Sequence, residues 1–380
     1  MGNEGRKKIG LVLTGGGARA AYQVGVLCAI AEITGFEKNP FSIISGYSAG
    51  ALNGAWLASH DEDFKTATNQ MAEAWASLSA ESIFKVSPWS LSKIALRWIR
   101  DRATGGLRDD HKQITYLLDT SPLAKLIKNK IDFETLNKNI DSSKFHAVSI
   151  SATDYRTGHS VTFYNGHRQI LDWQKLNRMS VRTKISSEHV LASAAIPVFF
   201  PPVRIGESYF GDGMVRLNTP LSSAIHLGAE KLIVVGSRGP SSTSHPAAAG
   251  GITLGEIVGT ILNGLLFDSL DGDIERLERI NRGISVMSPE ERTLQPDHLR
   301  EVPFMTLFPR SDIARAPTCE LSRMPKTFSY LLKGIGVSKG KGSDLLSYLA
   351  FEPRYLRSLI QAGHGDTMSR KDEILDFFDY

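Results

Sequence analysis

The chain has 380 residues, with 44 Lys and Arg against 40 Asp and Glu and a formal charge of +4. Hydrophobic residues make up 42% and charged residues 22%, which excludes a disordered, collagen-like or low-complexity chain. Two cysteines, Cys28 and Cys319, cannot build a disulfide framework, and a pI of about 8.9 is too mild for a dedicated nucleic-acid binder while compatible with a peripheral membrane contact.

The N-terminus is basic at Arg6-Lys7-Lys8, but the apolar run Ile9 to Leu13 is too short for a signal peptide and runs into glycine. No stretch of 18 apolar residues is present to span a bilayer. The expectation is a cytoplasmic protein, peripheral on a membrane at most. Ile9 to Leu13 reads as a buried parallel strand, followed by the triplet Gly15-Gly16-Gly17 and a small-residue helix from Ala18 to Glu32. Phe41 to Ser45 repeats the pattern: strand, glycine turn, then a helix over Ala49 to Ser59. This is the start of an α/β fold with a parallel sheet.

Residues 62–130 are polar and mainly helical and read as an insertion. His146 to Ala152 and Ser160 to Tyr164 predict a hairpin, Ser187 to Ala195 a helix, Val203 to Phe210 a second hairpin with Gly206 in its turn, and Lys231 to Val235 another parallel strand. The Ser/Pro/Ala/Gly-rich stretch from Ser237 to Gly251 is the best boundary. Residues 8–236 therefore read as one catalytic domain and residues 237–380 as a mostly helical extension. In that extension Leu254 to Arg282 predicts a long helix or helix pair, and Pro303 to Phe308 one last strand.

Two glycine turns carry the chemistry. Gly46-Tyr47-Ser48-Ala49-Gly50 is G-x-S-x-G between a strand and a helix, where Gly46 and Gly50 permit a turn tight enough to lift the Ser48 hydroxyl. The alternative is a plain strand–helix turn. Gly15-Gly16-Gly17-Ala18-Arg19-Ala20 presents backbone N–H groups to an anion, as a phosphate cradle or as an oxyanion hole for Ser48. A dinucleotide site needs an acidic residue at the end of the second strand; Ser45-Gly46-Tyr47-Ser48 stands there, so the oxyanion reading leads. Arg19 either adds positive charge to that hole or is an ordinary surface arginine. None of the ten histidines sits in a distinctive Gly-flanked setting at a strand end. One carboxylate does, in Phe210-Gly211-Asp212-Gly213-Met214, although Asp-Gly by itself reads as a turn.

The collinear blocks resemble the patatin-like phospholipase family, in the form of a bacterial-type member with a C-terminal extension. The family's oxyanion loop is matched at Gly15 to Ala20, its elbow at Gly46 to Gly50, its Ala-Ser-x-Ala-x-Pro block at Ala192 to Pro197, and its Asp-Gly motif at Asp212-Gly213. The resemblance implies a three-layer α/β/α fold with a mainly parallel sheet, and a Ser–Asp dyad without histidine. Ser48 is then the nucleophile, Asp212 the base, and Gly15, Gly16 and Gly17 the oxyanion hole, with Gly213 and Pro197 supporting their motifs. The implied activity is lipid acyl hydrolysis of phospholipase A or lysophospholipase type through an acyl-enzyme, on a phospholipid or other acyl-ester lipid. No metal or other cofactor is implied. A free aspartate, at pKa about 3.9, is poorly matched to a base at neutral pH, so the site has to raise it. Met214 departs from the family's small third residue and either packs in the core or lines the acyl channel.

Leu91, Ile94, Ala95 and Trp98, beside Lys93, Arg97, Arg100 and Arg102, form a basic amphipathic pattern that either lies on an anionic membrane or packs on the sheet. The competing readings of the whole chain are a general esterase or thioesterase with the same dyad, a nucleotide-binding protein using Gly15 to Ala20, and a pseudoenzyme closed by Met214.

Overall fold

A computed structural model describes residues 7–60, 62–85, 116–238, 251–293, 299–316, 318–338 and 341–379. The Leu91–Trp98 stripe and most of the 237–251 boundary lie outside them. Ten strands form one sheet: β1 (Ile9–Leu13), β2 (Ile43–Tyr47), β3 (Ala147–Asp154), β4 (Ser160–Gly166), β5 (Gln174–Lys175), β6 (Arg178–Arg182), β7 (Val203–Ile205), β8 (Ser208–Asp212), β9 (Lys231–Val235) and β10 (Phe304–Leu307). Their order is β10-β9-β1-β2-β3-β4-β6-β5, with β8 pairing β3 and β7. The run from β10 to β3 is parallel throughout, while β4 and β8 both pair antiparallel to β3.

The apolar runs explain why β1 and β9 lie inside the sheet and not at its edge. In β1, Leu11 and Leu13 join one core and Val12 the other; in β9, Ile233 and Val235 join the first and Leu232 and Val234 the second. A strand whose residues are buried on both faces needs helices on both sides, and these two cores are the contacts between sheet and helices. Helices α1 (Ala21–Thr34) and α2 (Ala49–Ser59) belong to the first core, whereas helices Pro220–His226 and Ser269–Ser285 close the second. The result is a mainly parallel sheet between helical layers.

The chain beyond residue 237 is built into this body. Strand β10 extends the sheet beside β9, with Phe304 opposite Leu232. Helix Pro353–Met368 lies on α1 so closely that a Cβ at Gly25 would collide with the Ile360 carbonyl, and one at Gly363 with the Tyr22 carbonyl. Leu345, Tyr348, Leu349, Tyr355, Leu356 and Leu359 fill the same core as β1 and α1. The predicted helix from Leu254 to Arg282 is two α-helices, Leu254–Asn263 and Ser269–Ser285, joined by a π-turn at Gly264–Asp268. Among the elements the sequence pattern does not suggest are the β5–β6 edge and helices Phe133–Asp141, Pro220–His226, Lys326–Gly334 and Ser343–Leu349. β6 reads Arg-Met-Ser-Val-Arg, with only Ser180 fully buried, so it carries no apolar run.

Candidate active site

β2 ends at Tyr47 and α2 begins at Ala49, which leaves Ser48 alone to turn the chain. It does so at φ 55° and ψ −130°, a conformation that costs a non-glycine residue energy and is tolerated where the surroundings over-determine it. Those surroundings are visible. A Cβ at Gly50 would run into the Leu13 carbonyl, and one at Gly46 would crowd the Gly50 backbone. The Ser48 amide donates to Ser193 Oγ at 2.9 Å, and that hydroxyl donates to the Ser151 carbonyl at 2.6 Å. Ser193 thus anchors the elbow, a role the Ala-Ser-x-Ala-x-Pro pattern does not reveal. Pro197 ends the same block. Ala195, two residues before it, accepts the Asp212 amide at 3.0 Å.

Asp212 lies 164 residues further along the chain and is the last residue of β8. Its pairing with Ala152 of β3 carries it beside the neighbouring β2 elbow. Ser48 Oγ donates to Asp212 Oδ2 at 2.6 Å. The Met214 amide donates to Oδ1 at 3.0 Å, and Thr153 Oγ1 donates to the Asp212 carbonyl at 2.8 Å. Ser48 is 3% exposed and Asp212 is fully buried. Burial pushes the Asp212 carboxyl up to about 7, against the Ser48 hydroxyl and the Met214 N–H, which pull it down. A carboxylate at that value can take a hydroxyl proton near neutral pH. The backbone of Gly213 presses on the Ser151 carbonyl, and the Met214 side chain is buried in the core and not a wall of the cavity over Ser48. His189, the one buried histidine among the described residues, directs Nδ1 to Ser186 and is no partner for Ser48.

Gly15, Gly16 and Gly17 follow β1, the strand next to β2. Gly17 opens a short 3-10 turn over Gly17–Ala20 at φ 55° and lines the same cavity as Ser48. The first bond of that turn is Arg19 N to the Gly16 carbonyl at 3.1 Å. The Gly16 and Gly17 amides precede it and keep N–H groups for an outside acceptor, whereas the Gly15 N–H donates to the Tyr47 hydroxyl. The N-terminus of α2 also points its positive end at Ser48. A hydrogen-bonded relay braces the turn: Gln23 Nε2 donates to the Thr14 carbonyl at 2.8 Å, Asn53 Nδ2 to Gln23 Oε1 at 3.0 Å, and Trp75 Nε1 to Asn53 Oδ1 at 2.8 Å.

Arg19 is neither of the things the sequence suggested. It is 1% exposed, so it is not a surface residue. It does not line the cavity over Ser48, and its guanidinium is spent on the C-terminal region: Nε donates to Ser347 Oγ at 2.8 Å and Nη2 to Asp344 Oδ1 at 2.9 Å. The glycine amides are left as the positive surface on that side.

The cavity over Ser48 has a volume of about 90 Å³ and an almost wholly apolar lining. Ala49, Leu52 and Trp56 of α2 form one wall, Trp75 and Leu78 another, and Leu123, Leu126, Ile196, Phe200 and Phe351 most of the rest. Among the described residues, Lys130 is the single charged residue on the wall, and it is exposed. The space suits an aliphatic chain whose polar end reaches Ser48. Among the described residues, no group of three or more His, Cys, Asp or Glu side chains could hold a metal ion, and no helix is long and apolar enough to cross a membrane.

A family model described as patatin-like phospholipase matches residues 11–225, more than half of the chain. The chain belongs to the patatin-like phospholipase family. The matched span holds both glycine turns, Ser48 and Asp212. Membership in this family points to a lipid hydrolase. No curated protein matches the chain. Among solved structures, this patatin-like chain is similar to VipD from Legionella pneumophila, at 14% identity over 97% of this chain and 67% of that one, with a TM-score of 0.35. It is also similar to human GIVD cytosolic phospholipase A2, at 12% identity over 100% of this chain and 61% of that one, with a TM-score of 0.47. The same human enzyme in complex with methyl gamma-linolenyl fluorophosphonate is matched at 13% identity over 98% and 58%, with a TM-score of 0.46. This chain therefore spans less than two thirds of the human enzyme's length.

Proposed function

We propose that the protein hydrolyses acyl esters of phospholipids or lysophospholipids by a Ser48–Asp212 dyad. The observation that carries this reading is the 2.6 Å hydrogen bond from Ser48 Oγ to the fully buried Asp212 carboxylate. With its pKa raised to about 7, that carboxylate is matched to the task of a base. The acyl chain lies in the apolar cavity and brings the ester carbonyl to Ser48. Ser48 Oγ attacks the carbonyl carbon while its proton passes to Asp212 Oδ2. The Gly16 and Gly17 amides hold the oxyanion that forms. When the tetrahedral intermediate collapses, the C–O bond to the alcohol breaks and Asp212 returns the proton to the leaving oxygen. Water then attacks the acyl-enzyme, with Asp212 taking its proton and restoring the Ser48 hydroxyl as the fatty acid leaves. No step calls for a metal or nucleotide.

The test is phosphonate labelling together with hydrolysis of phospholipid, lysophospholipid and short-chain esters by wild type, Ser48→Ala and Asp212→Asn. Both variants are expected to fold, to resist labelling and to lose at least about 10⁴-fold in kcat/KM. Full activity of either variant would refute the dyad. A preference for short-chain esters would make the protein a general esterase.

A further inference from the structure

We propose that Arg19 is a positioning residue that couples the oxyanion turn to the C-terminal region, so that hydrolysis at Ser48 depends on residues more than 200 positions away. The proposal rests on reading the Gly16 and Gly17 amides as the oxyanion donors. Arg19 stands two residues after Gly17, inside the same 3-10 turn. A rotation of that turn therefore moves the amides and the Arg19 backbone together.

The guanidinium is held on every side by chain beyond residue 237. Nε donates to Ser347 Oγ at 2.8 Å, Nη1 to Asn263 Oδ1 at 3.4 Å, and Nη2 to both the Asp344 carbonyl at 3.2 Å and Asp344 Oδ1 at 2.9 Å. Its flat face lies on the Tyr348 ring, 4.0 Å from the centroid. Tyr348 in turn donates its hydroxyl to Asn263 Oδ1 at 2.7 Å, and Ser347 Oγ donates to the Asp344 carbonyl at 2.6 Å. The planar fork thus meets a receptor assembled from two segments, the end of helix Leu254–Asn263 and helix Ser343–Leu349. A π-turn begins directly after Asn263; such turns inside helices are frequent at functional sites.

A second contact makes the coupling direct. The Gly17 α-carbon faces the Tyr348 carbonyl so closely that any Cβ there would collide with it. The backbone that would hold the oxyanion therefore rests on the backbone of the residue whose ring carries Arg19. Lysine could keep the charge at position 19 but not the fork, the stack or three of the four bonds. That makes Arg19→Lys the discriminating substitution.

The experiment uses the full chain as wild type, Arg19→Lys and Asp344→Asn. Three measurements are taken: melting temperature, kcat and KM on a phospholipid with the rate of phosphonate labelling, and hydrogen–deuterium exchange of the amides in residues 14–20. For Arg19→Lys, kcat and the labelling rate are expected to fall by about 10- to 100-fold with KM within about twofold, as for a misplaced transition-state group. Exchange over residues 14–20 is expected to quicken. Asp344→Asn, whose side chain is 41% exposed in the wild type, keeps the fold safest and is expected to show the same pattern several-fold weaker. It decides the matter if Arg19→Lys does not fold. A lowered melting temperature with kcat unchanged and exchange unchanged overturns the proposal and makes Arg19 a packing residue only. If wild type is neither labelled nor active, the proposed function fails. The exchange measurement then still decides the coupling, since it needs no turnover.

Discussion

Two glycine turns meet at Ser48, and different parts of the chain hold them. The Gly46–Gly50 elbow is packed by the sheet it grows from. Gly50 presses on the Leu13 and Thr14 carbonyls, and Ser193 fixes the Ser48 amide. The Gly15–Gly17 turn is packed by the C-terminal region. Ser237 Oγ donates to the Gly15 carbonyl at 2.6 Å, and Tyr348 covers Gly17. The nucleophile's geometry is thus a property of strand register, shared with the whole core. The oxyanion turn's geometry depends on a contact that can loosen while the sheet stands. A fault in the first should unfold the protein, and a fault in the second should leave a folded, slow one.

Paired alanine substitutions test that contrast most severely. At Gly50 the new methyl meets backbone carbonyls of β1 and the residue after it, which cannot move without breaking the sheet. Destabilisation beyond about 3 kcal/mol and loss of soluble protein are expected. At Gly17 the methyl meets a backbone carbonyl as closely, that of Tyr348, but this carbonyl belongs to helix Ser343–Leu349 and not to the sheet; φ of 55° adds strain of about 1–2 kcal/mol. Gly17→Ala should stay folded, with kcat lower by on the order of 100-fold. Thermal unfolding and turnover of the two variants measure this. Equal unfolding of both breaks the comparison.

The pH profile is the next largest effect and belongs to the elbow side. If Asp212 is the base, its carboxylate form is required, so kcat/KM should fall about tenfold per unit below a midpoint near 7. Stability follows the opposite sign. The folded pKa lies above the ordinary 3.8, so the folded state holds the proton more tightly than the unfolded one. The stabilisation is complete below about 3.8 and is lost as pH rises through about 7. Asp212→Asn carries no such proton, so its melting temperature relative to wild type should climb between pH 5 and 8. A rate midpoint near 4, or parallel melting curves for the two proteins, would show an ordinary carboxylate.

What could be read from residues alone divides along the same line. β1, β2 and β9 announce themselves as apolar runs because they are buried on both faces, and the elbow as a glycine-flanked serine between strand and helix. Asp212 reads alone as a turn residue. Its burial comes from β3 and from Ala195, which lie outside its own turn, and only the likeness to a family singled it out. Arg19 shows the limit most sharply. Both roles open to it, an oxyanion charge or a surface residue, miss its burial. Nothing near it in sequence signals Asn263, Asp344, Ser347 or Tyr348. Local chemistry is legible in local sequence, but a partner hundreds of residues away is a product of the fold.

The smallest expected effect on activity is at Met214, where the chain departs from its family. The amide of Met214, not its side chain, holds Asp212 Oδ1 at 3.0 Å. The side chain lies in the core and does not line the cavity. Met214→Ala should therefore cost about 2–4 kcal/mol of stability, as a core truncation. It should leave kcat/KM within about twofold and the order of preference among acyl chain lengths unchanged. A series of phospholipids of increasing chain length, assayed beside thermal melts, measures both. A shifted chain-length preference would make Met214 a wall of the channel, and substrate fit would then enter on the elbow side as well. An unchanged preference keeps the Asp212 turn a purely backbone device, like the elbow it faces.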